Sequence, residues 1–79
     1  MSVKPTIQSM FEQVAHEQQR ELAPLSDDLN LAQSGLDSLS FALIVVRLED
    51  SFGFDPFEGA SRFPATFGEF VKLYEAPAG

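Results

Sequence analysis

The stretch "SGLDSLSFALIVVRLED", residues 34–50, decides how the chain is read. Ser34 and Gly35 are loop residues. Asp37 or Ser38 can cap a helix, because either side-chain oxygen can accept from a free backbone N–H. The β-branched Ile44, Val45 and Val46 would suit a strand. The length, the cap and the continuation Arg47-Leu48-Glu49-Asp50 favour a helix over 38–52, with Gly53 placed to end it. This helix carries two apolar stripes. Phe41, Ile44/Val45, Leu48 and Phe52 form one; Leu39, Ala42/Leu43 and Val46 form the other. A helix apolar all round is normally buried on every side, which a chain of 79 residues can hardly achieve. The longer stripe, ending in aromatics, is assigned to the core. The Leu39/Leu43/Val46 stripe, edged by Arg47, Glu49 and Asp50, is assigned to the surface, where a contiguous apolar patch marks an interaction site.

Outward from this helix, the pattern stays helical. In residues 6–21, Ile7, Met10, Phe11 and Val14 share one face at i, i+3, i+4, i+7 spacing, with Pro5 at the start and Pro24 beyond the end. Residues 22–37 are a long connection in which Leu25, Leu29, Leu31 and Leu36 are expected to staple the loop to the core. Residues 55–62 suggest a short helix, with Asp55 as N-cap, Pro56 at the first position and Glu58 completing a box-like pattern. In residues 66–75, Thr66 and Glu69 form a capping box, and Phe67, Phe70, Val71 and Tyr74 form the apolar face. The expectation is an all-α fold. It is a small four-helix bundle, with three main helices plus a short third one and a long loop between helices 1 and 2, in a single domain over 1–79.

Composition narrows the function. Twelve acidic residues against five basic ones give a net charge of −7, which disfavours nucleic acid and favours partners with basic patches. There is no cysteine, hence no disulfide framework and no protein thiol. The N-terminus lacks a signal-peptide pattern, and the longest apolar run, Phe41 to Val46, is far too short to span a membrane. A cytoplasmic location is expected. A nucleophilic Ser38 would need a base and an oxyanion hole. The one histidine, His16, lies in the first helix, and L-D-S-L is not the G-x-S-x-G elbow. Asp27, Asp28, Asp55 and Glu58 do not match a calcium loop. No catalytic residue and no metal site is expected. At a helix N-terminus, however, free N–H groups and the dipole favour an anion. A phosphate ester on Ser38 would be electrostatically welcome there; on the local residues alone, a plain cap is the favoured reading of Ser38.

"GLDSL", Gly35 to Leu39, resembles the signature around the modified serine of acyl carrier proteins. The resemblance extends over most of the chain, through the leucine-stapled loop, "RLEDSFG", "DPF" and "FPATFGEFVKLYE". It implies a stand-alone, monomeric carrier rather than an enzyme. A phosphopantetheinyl transferase would move 4′-phosphopantetheine from coenzyme A onto Ser38, flanked by Asp37 and Leu39. An acyl- or aminoacyl-loading ligase and downstream transferases would then meet the helix at Leu39, Ala42, Leu43, Val46, Glu49 and Asp50. Fatty-acid carriers usually hold carboxylates where Ser40 and Leu43 stand here, which favours a dedicated biosynthetic pathway over general fatty-acid synthesis. "LDS" also differs from the G-G-H-S of peptidyl carriers. Phe41, pointing inward near the serine, would shrink a cavity for a long chain, so the cargo is expected to be short, or an aminoacyl group held outside the core. The competing expectation is an unmodified helical interaction module.

Overall fold

The structure, a computed structural model, describes residues 3–57 and 63–75. Among the described residues the fold is all-α: α1 (Lys4–Glu17), a 3-10 turn at Leu31–Gln33, α2 (Ser38–Phe52) and α3 (Phe67–Glu75). Helix α1 starts with Pro5 in its first turn, where the missing N–H costs nothing. It stops at Glu17, four residues before the limit that its sequence pattern suggests. Its last buried positions are Val14 and Ala15. Gln19 then takes a left-handed φ of 58°, and Arg20 N–H closes the end on the Ala15 carbonyl at 2.9 Å.

Helix α2 has the expected limits. Asp37 is its cap: Oδ1 accepts from the Ser40 N–H at 2.9 Å. Gly53, with φ 82°, ends it in the left-handed region. At α3, Thr66 Oγ1 accepts from the Glu69 N–H at 3.2 Å. Glu69 Oε1 accepts from Ala65 N–H at 2.9 Å, one residue earlier than the usual box partner. Of the short helix expected over 55–62, residues 55–57 form a turn in which Asp55 Oδ1 accepts from the Phe57 N–H at 2.9 Å. Residues 58–62, including Glu58, lie outside the described residues.

The long connection is docked along its length. Leu31 and Leu36 are buried, while Leu25 and Leu29 pack more loosely on the core. Its backbone bonds to the start of α3: Leu31 N–H to the Ala65 carbonyl, Phe67 N–H to Leu29 and Gly68 N–H to Asp27, all at 2.8–2.9 Å. The core joins Ile7, Phe11 and Val14 of α1 to Ile44 and Leu48 of α2 and to Phe67, Phe70, Val71 and Tyr74 of α3.

Helix α2 sorts its stripes almost as expected. Ile44 and Leu48 are fully buried and Phe41 and Phe52 half-buried, while Leu39 and Val46 are 59 % and 57 % exposed. Ser40, in neither stripe, is fully buried. One position differs. Leu43, placed at the surface by its stripe, is half-buried and packs against the core. The cause is its flank. Leu43 shares a row with Ser40 and Arg47 at i−3 and i+4, and this row faces α1: Arg47 makes a two-point ion pair with Glu17, Nη1 to Oε2 at 2.9 Å and Nη2 to Oε1 at 2.7 Å.

Candidate functional site

Ser38 opens the first turn of α2 with its side chain exposed. Asp37 holds that turn in place with both carboxylate oxygens. Oδ1 caps the Ser40 N–H, and Oδ2 accepts from Arg20 Nη2 at 2.7 Å. The Ser40 N–H first, and the Arg20 guanidinium beside it, keep the Asp37 carboxyl below the usual carboxylate range. It is therefore ionised at neutral pH. Arg20 also reaches the Gly35 carbonyl with Nη1, at 3.4 Å. One guanidinium thus ties the end of α1 to both sides of the G-L-D-S turn. Gly35 itself has φ 95°, and the Glu21 carbonyl oxygen lies 2.1 Å from where a Cβ would stand.

An apolar groove of about 540 Å³ runs from Ser38 along α2. Phe41, Ala42, Val45 and Val46 form its α2 side, and Phe57 and Phe63 its other side. Phe41 stands between groove and core. Its ring meets Phe11 edge-on, with centroids 6.2 Å apart, and meets Phe63 at 5.4 Å. Phe57 and Phe63 are stacked at 5.2 Å.

The sequence-predicted residues divide. Ser38, Ala42 and Val46 meet at the groove. Leu39, Glu49 and Asp50 are exposed on α2 but do not line it, and Leu43, packed on the core, does not line it either. Arg20, Phe57 and Phe63 were not singled out by the sequence. Arg20 lies 17 residues from Asp37, so no local pattern joins them. The aromatic positions in "DPF" and "FPATF" were the available signal for the other two. Among the described residues, no group of His, Asp and Glu side chains is placed to hold a metal ion, and no helix is long and apolar enough to cross a membrane.

This arrangement suits a covalent arm better than a reaction centre. No hydrogen bond holds the hydroxyl among the described residues, the helix start welcomes an anionic ester, and space opens beside it. A family model for the phosphopantetheine attachment site matches residues 5–57, which takes in α1, the docked loop, α2 and the turn after it. No curated protein and no solved structure matches the chain. The match covers more than half of the chain, so the chain belongs to the phosphopantetheine attachment family: it is a carrier protein, not a catalyst, and its cofactor is covalently attached 4′-phosphopantetheine.

Proposed function

We propose that Ser38 is the attachment residue, and that the chain is a single-domain, monomeric, cytoplasmic carrier that presents an acyl or aminoacyl group to the enzymes of a dedicated biosynthetic pathway. The observation that carries this reading is the exposed Ser38 hydroxyl on a turn fixed by Asp37. The serine needs no base of its own, because a separate phosphopantetheinyl transferase does the chemistry. When attached, the arm supplies a terminal thiol that this cysteine-free chain lacks, and the thiol holds cargo as a thioester. The chain's own residues position the ester and meet partners. Asp37 fixes the turn and offers the transferase a negative charge beside the acceptor. Tethering raises the local concentration of cargo at each visiting enzyme.

The partner face in this reading is the outer side of α2: Leu39, Ala42 and Val46, with Glu49 and Asp50 at the far end and Leu43 at the margin. Its apolar part adjoins Ser38, and its charge lies three turns away. The absence of carboxylates at Ser40 and Leu43 supports a pathway with its own partner enzymes.

Intact mass spectrometry after incubation with coenzyme A, magnesium and a broad-specificity transferase tests the attachment. Wild type should gain one phosphopantetheine and Ser38→Ala none. The variant should unfold within about 0.5 kcal/mol of wild type, since Ser38 is exposed and the cap is Asp37. An unmodified wild type beside an active transferase would leave a plain interaction module as the better reading.

The partner face has its own test. Leu39→Glu or Val46→Glu should lower kcat/KM of the cognate loading enzyme by about tenfold, or roughly 1.4 kcal/mol, with an unchanged melting temperature. Leu43→Glu should lower the melting temperature as well, because Leu43 packs on the core. Full activity of the Leu39 and Val46 variants would move the partner face elsewhere.

A further inference from the structure

We infer that the cargo is a compact, uncharged, apolar acyl group about the size of an aromatic ring system, seated in the groove beside Ser38 rather than in the bundle core. The inference rests on the carrier reading above and narrows its cargo. The groove begins at Ser38, so the flexible arm attached there can fold back and lay its terminal group along it. At about 540 Å³ it falls within the range of small-molecule sites, roughly 300–1,000 Å³.

The lining selects the chemistry. Among the described residues, the groove's lining apart from Ser38 is aliphatic and aromatic. An ammonium or carboxylate laid against it would lose water and gain no partner, which is costly. Asp37, the nearest carboxylate in sequence, is already engaged by the Ser40 N–H and Arg20. Among the described residues, an aminoacyl ammonium finds no partner in this groove. Depth is limited by Phe41, wedged between Phe11 and Phe63. Behind it, Phe11 is packed edge-on against Phe67 and Phe70 at 5.1 and 5.2 Å. A long chain could enter only by displacing a ring that the core already uses. What the groove offers is ring surface: Phe63 is 43 % exposed and stacked on Phe57, and a planar apolar group packs well against such faces.

The test loads wild-type protein with benzoyl-, glycyl- or octanoyl-phosphopantetheine from the matching coenzyme A thioesters. Each product is confirmed by intact mass. Ring signals of Phe41, Phe57 and Phe63 and methyl signals of Ile44 and Leu48 are then followed by NMR against the unacylated carrier. The benzoyl group should shift the three ring signals, and the glycyl group should leave them in place. The octanoyl chain should leave the Ile44 and Leu48 methyls unmoved. In Phe63→Ser, which removes a ring 43 % exposed at the groove, the benzoyl-induced shifts of Phe41 and Phe57 should be lost. Equal shifts from glycyl and benzoyl, no shift from benzoyl, or octanoyl shifts at Ile44 and Leu48 would overturn the inference with the carrier reading intact. An absent mass gain would remove both.

Discussion

Phe11→Ala removes much of the stability of the domain. Phe11 is fully buried and joins all three helices: its ring meets Phe41 of α2 and both Phe67 and Phe70 of α3, each edge-on. Truncating a buried phenylalanine costs about 3–5 kcal/mol, part transfer energy and part cavity. A domain of 79 residues has roughly 4–12 kcal/mol to lose, at about 0.05–0.15 kcal/mol per residue. Urea unfolding should show a much lower midpoint with a similar slope. An unfolding free energy within about 1 kcal/mol of wild type would show that the ring is not the centre of the core.

Gly35→Ala is expected to damage fold and site together. The new Cβ would stand 2.1 Å from the Glu21 carbonyl oxygen, a backbone atom, and φ at this position is 95°. Neither the contact nor the dihedral suits an alanine. Relief requires the segments at 21–22 and 34–36 to part, which stretches the Ala23 N–H bond to the Ser34 carbonyl, now 2.9 Å. The cost should be at least about 2 kcal/mol. Because the same segment carries Arg20's hold on Gly35 and Asp37, loading of Ser38 should fall in the fraction that still folds. Gly53→Ala is the control. Its φ is 82°, but a Cβ there meets nothing within 4 Å, and it is remote from Ser38 in sequence. It should lose some stability while loading stays at the wild-type rate. A Gly35→Ala protein with wild-type stability would show that the turn is not held as described.

These two positions also illustrate what could be read from the sequence. Helix α2 was legible to the residue because its punctuation is local: Asp37 caps it and Gly53 ends it within one turn of the helix. The end of α1 was not, because Gln18, Gln19 and Arg20 are acceptable helix residues. What stops the helix is a distant commitment, Arg20 to Asp37 and the Gly35 carbonyl. Helical spacing separated the two stripes of α2 but could not say where α1 crosses. Leu43 was therefore misplaced, and Arg47 was read as an edge of the partner face although it pairs with Glu17. The family was legible from the motif around Ser38. The groove was not, since its far side comes from Phe57 and Phe63, rings that only the folded connection brings against Phe41 and Ser38.

Ser38, and no neighbouring hydroxyl, is the proposed acceptor of the cofactor. Ser34 and Ser40 are fully buried, whereas Ser51 is exposed near the far end of α2. Fragmentation mass spectrometry of the transferase-treated wild-type protein decides among them. The account predicts a single phosphopantetheine located on Ser38. Its appearance on Ser34, Ser40 or Ser51 instead, or an unmodified chain beside an active transferase, would contradict it.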